Sequence, residues 1–178
     1  EPPSHAYWWI VAALGAGAGG WLLIRTVQLT KKPVNRVFFG GIGAFILVVS
    51  VLIGLSQTAK GPIDWTYYTP ERLADAQKSG KVVVIDFTAE WCANCKTLEA
   101  LVLNTPSVSK EMNADDDEAI KADLTGNNEA GNALLKKSNR VTIPLLLIYG
   151  RDGSVVLNTE NYTAQQVLDA IDAARARK

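Results

Sequence analysis

Residues 82–98 read VVVIDFTAEWCANCKTL and contain the only two cysteines of the chain, Cys92 and Cys95, in a Cys-x-x-Cys spacing. The stretch opens with an apolar, β-branched run, which predicts a buried strand. Apolar residues at helical spacing follow the second cysteine as far as Leu103, which predicts a helix. We therefore expect the two cysteines at the point where a buried strand passes into a helix.

The position of Cys92 near the start of that helix has a chemical consequence. The unpaired N–H groups and the positive end of the helix dipole favour a thiolate over a thiol. A cysteine there is a better nucleophile at neutral pH. One helical turn brings the sulfurs of Cys92 and Cys95 within bonding reach, so the pair can close and reopen a disulfide. A strand, a Cys-x-x-Cys motif and a helix together predict a thioredoxin-like redox site.

Two other roles for the cysteines carry less weight and stay open as alternatives. A zinc site usually takes four Cys or His ligands, and the single histidine, His5, is far from the motif in sequence. A purely structural disulfide is the second alternative, but closing so short a loop removes little chain entropy. The expectation is redox chemistry at the two sulfurs, without a metal or another cofactor.

The charges of the chain balance, with 18 basic and 18 acidic side chains in 178 residues, so nothing indicates a nucleic-acid partner. The composition is uneven along the chain. Residues 7–57 are strongly apolar, whereas residues 60–178 have the composition of a soluble domain. The sequence begins at Glu1 rather than at a methionine, so we expect a processed product or a piece of a longer protein.

Residues 1–57 are predicted to hold two transmembrane helices, at about 7–24 and 37–57. The uncharged stretches 7–24 and 37–55 are each about long enough to cross a bilayer. A signal peptide is disfavoured because no Lys or Arg precedes the first stretch and no A-x-A-like cleavage site follows it. Two such stretches close together also disfavour buried core helices. The lipid bilayer is therefore one expected partner.

The loop 25–36 between these helices is basic and contains no acid; its charged residues are Arg25, Lys31, Lys32 and Arg36. The positive-inside rule places this loop in the cytoplasm and the soluble domain on the opposite face, which is the periplasm in a Gram-negative cell. The expected location is thus the inner membrane, as a multi-pass protein. Gly15 and Gly19 form a small-xxx-small pair that allows close helix approach, although glycine is also frequent in membrane helices generally.

A polar linker is expected at residues 58–68 and the soluble domain at residues 69–178. Its pattern predicts the order helix, strand, helix, strand, helix, strand, strand, helix. Crossover helices join the first three strands and a hairpin at residues 150–153 joins the last two. This order predicts an α/β thioredoxin-like domain, a mixed sheet flanked by helices. The acidic stretch 113–117 is expected to be a solvated loop.

Two acidic residues near the cysteines are candidates for a catalytic role. Asp86 interrupts the apolar strand six residues before Cys92, where its carboxyl can lie beneath the second sulfur. Burial would raise its pKa and suit it to move a proton to or from Cys95; a position at the edge of the sheet is the alternative. Glu99 lies one helical turn beyond Cys95 and can act on the same site, with a solvated helix face as the alternative.

The segments 87–96 (FTAEWCANCK), 121–125 (KADLT) and 142–144 (TIP) resemble the DsbD family of thiol:disulfide interchange proteins. The resemblance covers nearly the whole chain, as the last two membrane helices and the periplasmic thioredoxin-like domain of that family. It implies that Cys92 is the attacking thiolate and Cys95 the resolving cysteine, with Asp86 and Glu99 tuning their pKa values. It also implies substrate-binding roles for three more residues: Trp91, Ile143 and a cis-proline, Pro144.

In that family, electrons cross the membrane through a cysteine pair in the membrane core and pass by dithiol–disulfide exchange to other protein domains. The expected partners are therefore protein thiols and disulfides. The predicted helices here contain no cysteine, so another segment or another protein must supply the electrons. Two alternatives remain: a thioredoxin-like reductant for cytochrome c maturation, which usually has one membrane anchor, and a binding or assembly module without catalysis.

Overall fold

A computed structural model describes residues 7–58 and 61–177, and the chain divides into two units between residues 60 and 61. The first unit contains the helices α1 (Tyr7–Leu29) and α2 (Pro33–Thr58). Both are long and apolar enough to cross a membrane, over Trp8–Leu29 and Pro33–Leu55. The two predicted helices are therefore present in this unit.

The helices are longer than predicted at their facing ends, and the expected loop 25–36 shrinks to residues 30–32. A hydropathy pattern places each helix end at the first charged residue. That residue marks the end of the apolar surface, whereas the hydrogen-bonded backbone of the helix continues beyond it. Arg25 and Arg36 lie inside the helices, and Arg36 Nη2 donates a hydrogen bond to the carbonyl oxygen of Val27 at 3.2 Å. Long basic side chains can extend from a helix end towards the membrane surface.

The glycines bring α1 and α2 into close contact. A Cβ atom on Gly19 would lie 2.7 Å from the carbonyl oxygen of Gly43 and 2.9 Å from the backbone nitrogen of Leu47. A Cβ atom on Gly43 would lie 3.0 Å from the carbonyl oxygen of Gly19. The backbones therefore approach at a distance that only glycine allows, whereas Gly17 on the same helix has open space around it.

The second unit is built on a five-stranded sheet with the order β1-β3-β2-β4-β5. Its strands are β1 (Thr66–Tyr67), β2 (Val82–Thr88), β3 (Asp117–Asp123), β4 (Leu145–Tyr149) and β5 (Val155–Thr159). Strand β3 pairs in parallel with both β1 and β2, while β4 pairs antiparallel with β2 and with β5. The sheet is mixed, as predicted, and β2 lies at its centre.

Helices cover both faces of this sheet. They are α3 (Pro70–Lys78), α4 (Ala93–Leu98), a π-helix (Glu99–Leu103), α5 (Pro106–Met112), α6 (Glu129–Lys137) and α7 (Ala164–Ala176). The odd-numbered residues of β2, such as Ile85, pack with residues of α3 and α6. The even-numbered Val82 and Val84 pack with residues of α5 and α7 on the other face. The fold is the predicted thioredoxin-like α/β fold.

Contrary to expectation, residues 58–68 are not a linker throughout, because the segment from residue 61 is part of the folded domain. From residue 61 it belongs to the second unit, and it includes strand β1. Ile63 is buried in the core, and the side chain of Asn113 bonds the backbone of Pro62 and Asp64. A two-residue strand shows no alternation in a sequence, which is why composition alone indicated a linker.

The acidic stretch 113–117 is not wholly solvated as expected. Asp117 opens β3, and its buried carboxylate accepts a hydrogen bond of 2.6 Å from Arg175 Nη2. Burial raises the pKa of Asp117, and the Arg175 guanidinium opposes that rise. The arginine comes from α7, nearly sixty residues away in sequence, so a local pattern gives no sign of the pair.

Candidate active site

The two cysteines lie where the sequence predicts, at the junction of β2 and α4. Cys92 is the N-cap residue of α4, and its sulfur accepts a hydrogen bond from the backbone N–H of Cys95 at 3.2 Å. The two sulfurs are joined in a disulfide. Cys92 is 6% exposed and Cys95 only 1%, so an attacking thiol reaches Cys92 more easily than Cys95.

The loop before Cys92 is fixed by one hydrogen bond within the loop and one to Thr125, which follows β3. The backbone N–H of Cys92 donates to the carbonyl oxygen of Ala89 at 3.0 Å, which makes a tight turn. The backbone N–H of Glu90 donates to Thr125 Oγ1 at 2.8 Å. These bonds hold Cys92 at the start of α4, where unpaired helix N–H groups stabilise a negative sulfur.

The three residues predicted to bind substrate lie on two segments: Trp91 directly precedes Cys92, and Ile143 and Pro144 directly precede β4. The Ile143–Pro144 peptide bond is cis, as the family resemblance implies, and it precedes β4. The side chain of Ile143 packs against Ala89 and the cysteine pair. Trp91 is the neighbour of Cys92 in sequence and is 67% exposed, so its ring is available to another molecule.

Asp86 is a buried carboxyl group on the central strand. It is 1% exposed, so the alternative of a sheet-edge position is wrong, and its Oδ2 atom has no hydrogen-bond partner among the described residues. Burial raises the pKa of Asp86 to about 7; the positive charge of Lys121 lowers it and the negative charge of Glu99 raises it. A carboxyl with a pKa near neutrality can both take up and release a proton under physiological conditions.

Glu99 does not lie on a solvated helix face. It begins the π-helix that follows α4, and its Oε1 atom is 2.5 Å from Nζ of Lys121. Both side chains are largely shielded from water, at 22% and 15% exposure. Lys121 is the residue of β3 that pairs in register with Asp86, so the lysine of this ion pair lies on the strand next to the buried carboxyl.

Three residues of this site are missing from the sequence prediction: Trp65, Lys121 and Tyr162. Tyr162 is buried, its hydroxyl has no partner among the described residues, and burial raises its pKa, with further contributions from Asp86 and Glu99. The alternation of side chains in β3 predicts that Lys121 and Ile120 point to opposite faces of the sheet. It does not show that helices cover both of these faces, which follows from the strand order.

The arrangement suits redox chemistry at the two sulfurs. Within residues 7–58 and 61–177, no three His, Cys, Asp or Glu side chains are grouped so that they can hold a metal ion. The structure combines a disulfide whose more exposed sulfur lies at a helix N-terminus with a buried carboxyl on the preceding strand. These are the components of thiol–disulfide exchange.

Comparison with known proteins gives the same picture from sequence. A family model described as thioredoxin-like matches residues 64–150. The thiol:disulfide interchange protein DsbD of Cronobacter sakazakii is 26% identical over 177 residues, which cover 89% of this chain and 28% of that protein. DsbD 1 of Pseudomonas aeruginosa is 28% identical over 187 residues, covering 90% of this chain and 30% of that protein. The chain thus spans less than a third of the length of these curated relatives.

The same relationship is found among solved structures. The crystal structure of the C-terminal domain of Neisseria meningitidis DsbD in the reduced form superposes with a TM-score of 0.50 and 26% sequence identity. The superposition covers 62% of this chain and 100% of that domain. A thioredoxin from Thermus thermophilus gives a TM-score of 0.52 at 22% identity, covering 65% of this chain and 89% of that one, which shows the shared fold.

Proposed function

This chain is homologous to the DsbD thiol:disulfide interchange proteins over most of its length, and we propose that it is a membrane-anchored protein-disulfide reductase that acts through Cys92 and Cys95. The observation that carries the proposal is the disulfide between these residues at the N-terminus of α4. The C-terminal domain of the Neisseria meningitidis relative has been crystallised in both reduced and oxidised forms, which supports a pair that cycles.

The reaction proceeds through a mixed disulfide. The Cys92 thiolate attacks one sulfur of a client disulfide, a new sulfur–sulfur bond forms, and the other client sulfur leaves as a thiolate. The Cys95 thiolate then attacks the Cys92 sulfur, and the second client sulfur leaves. The client disulfide gains two electrons and the cysteine pair loses them. A fresh supply of electrons must then reduce the pair before the next cycle.

Each of the other candidate residues has a role in this cycle. Asp86 accepts the proton of Cys95 when the mixed disulfide is resolved, because a buried carboxyl with a pKa of about 7 is half ionised near neutral pH. Glu99 adjusts the proton affinity of Asp86 through its charge. The exposed ring of Trp91, the side chain of Ile143 and the cis-proline Pro144 form the surface that receives the client.

We further propose that the two apolar helices anchor the chain in the inner membrane with the redox domain in the periplasm. The basic residues between and flanking the apolar spans, such as Arg25 and Lys31, favour the cytoplasmic side for their connection. A reporter fused after Lys178 is expected to be active in the periplasm, and activity in the cytoplasm would contradict this topology. The two cysteines are both in the domain, so the electrons come from another membrane segment or another protein.

The redox potential of the pair tests the proposed direction of electron flow. The full chain in detergent micelles is equilibrated with glutathione buffers of known potential, and free thiols are counted by alkylation and mass spectrometry. A reductase is expected to show a reversible two-electron transition in the reducing range of thioredoxin, about −270 mV. A pair that stays oxidised in every buffer would support a binding module. A transition at about −120 mV, the potential of a strong oxidant, would mean that electrons flow from the client to this chain.

A further inference from the structure

The segment that enters the redox domain is fixed in place before its first strand. The side chain of Asn113 donates to the carbonyl oxygen of Pro62 at 2.7 Å and accepts from the backbone N–H of Asp64 at 3.0 Å. Between them, the side chain of Ile63 is buried in the core. The backbone is held on both sides of Ile63, and the backbone N–H of Trp65, two residues on, donates to the carbonyl oxygen of Ile63 at 3.0 Å. Trp65 therefore has a defined position.

Trp65 places its ring over the charged end of Lys121. The Nζ atom of Lys121 lies 4.8 Å from the centre of the indole ring, within the range of a cation–π interaction. The Nε1 atom of Trp65 is buried without a hydrogen-bond partner among the described residues, so it is the face of the ring, not its polar atom, that makes the contact. Tyr67 of β1, two residues beyond Trp65, pairs in register with Lys121 of β3. This pairing places the segment that contains Trp65 next to Lys121.

Lys121 carries this contact to the redox site. Its Nζ atom is 2.5 Å from Oε1 of Glu99, and its backbone pairs with that of Asp86 in the sheet. Three titratable groups therefore bear on Asp86: Lys121 from β3, Glu99 from the π-helix and Tyr162 from the segment before α7. Tyr162 is neutral near pH 7, and burial moves its pKa further above neutrality. Lys121 and Glu99 are therefore the charged groups that act on the ionisation of Asp86.

We propose that Trp65 is a positioning residue of disulfide exchange: its indole ring holds the ammonium group of Lys121 against Glu99 and beside Asp86, and thereby sets the pH at which Asp86 accepts the proton of Cys95. This inference rests on the proposed function. A cation held beside a carboxyl favours its ionised form, which is the form that acts as the base. The aromatic ring also excludes water, so water screens the attraction between the Lys121 ammonium group and the Asp86 carboxylate less strongly.

The reaction step that Trp65 affects is the resolution of the mixed disulfide. The thiol proton of Cys95 passes to the Asp86 carboxylate, and the Cys95 sulfur attacks the Cys92 sulfur. The bond between Cys92 and the client sulfur breaks, and the client leaves as a thiolate that takes a proton from water. The pair ends oxidised and the client reduced by the same two electrons.

The test compares Trp65→Leu with Trp65→Phe in the full chain in detergent micelles. The reduced protein is mixed with oxidised glutathione, and the rate at which the mixed disulfide resolves is measured from pH 5 to pH 9. Leucine keeps the site apolar but has no π face, so Lys121 turns towards solvent and Asp86 ionises only at higher pH. The midpoint of the pH profile is expected to rise, with a rate about two- to fivefold lower at pH 6, the effect of losing one cation–π contact. Phenylalanine is expected to restore the wild-type midpoint.

Two further variants separate positioning from folding. Leu135→Ala removes a buried side chain of α6 on the opposite face of the sheet, away from Trp65 and the ion pair, and it is expected to lower the melting temperature while leaving the pH midpoint unchanged. In a Lys121→Met background, where the midpoint is already raised, Trp65→Leu is expected to have no further effect. An unchanged midpoint in Trp65→Leu, or an equal shift with and without Lys121, would overturn the inference. A wild-type chain that never forms or resolves a mixed disulfide would instead overturn the proposed function.

Discussion

Cys95→Ser is expected to abolish turnover and to leave Cys92 covalently joined to its client. Cys95 is almost fully buried behind Cys92, and its backbone N–H already contacts the Cys92 sulfur. A serine hydroxyl there fits the space but is not nucleophilic enough to displace the client sulfur. The first step still occurs, because Cys92 keeps its place at the N-terminus of α4.

The trapped species is measured as adducts on non-reducing gels that disappear on addition of a reductant. Cys92→Ser is the matched control, since it makes the same atomic change at the other sulfur and is expected to give no adducts. If Cys95→Ser folds normally but forms no adducts, the exchange mechanism is contradicted. If Cys92→Ser forms the adducts instead, the two cysteines have the opposite roles.

Asp86→Asn is expected to slow the resolution step by about 10²-fold, the lower end of the range for a lost general base. An amide has nearly the shape of the carboxyl group but cannot accept the proton of Cys95. The pH dependence near the Asp86 pKa of about 7 should disappear with the carboxyl. Asp75→Asn is the matched control, because it changes an exposed carboxyl of α3 in the same way.

The same substitution is expected to make the oxidised protein more stable above pH 7. The pKa of Asp86 rises from 3.8 to about 7 on folding, so the folded state binds its proton more tightly than the unfolded state. Wild-type stability therefore falls as the pH rises from about 4 to about 7, by about 4 kcal/mol in all, and Asp86→Asn avoids this loss. The measurement is urea unfolding at pH 4 and pH 8. A variant that is less stable than wild type at pH 8 would contradict the buried, destabilising carboxylate.

The elements next to the disulfide are the ones that the sequence predicts best. The strand predicted from the apolar run that opens residues 82–98 is β2, and the strand predicted before the hairpin at residues 150–153 is β4. Both strands are buried on both faces, so a run of apolar, largely β-branched or leucine residues marks them directly, with Asp86 as the one charged residue in β2. The position of Cys92 between β2 and α4 also follows from local sequence, whereas the bond from Glu90 to Thr125 that holds its loop does not.

What sequence reasoning misses depends on residues that meet across the sheet. Lys121 is beside Asp86 because β2 and β3 are neighbours in one particular register, and a local pattern does not give that register. Trp65 reaches Lys121 only because the short strand β1 adds to the far side of β3. The apolar neighbours of Asp86 in the sequence predict that its carboxyl is buried. The charged groups that act on it, Lys121 and Glu99, are identified only by the topology of the sheet.

The most direct test of the central claim is catalysis of protein-disulfide reduction by the full chain. Insulin is the client, dithiothreitol supplies the electrons, and the enzyme is present in catalytic amounts in detergent micelles. The account predicts that insulin thiols appear faster with the wild-type chain than with a correctly folded variant that carries both Cys92→Ser and Cys95→Ser. Equal rates for the two proteins would contradict it.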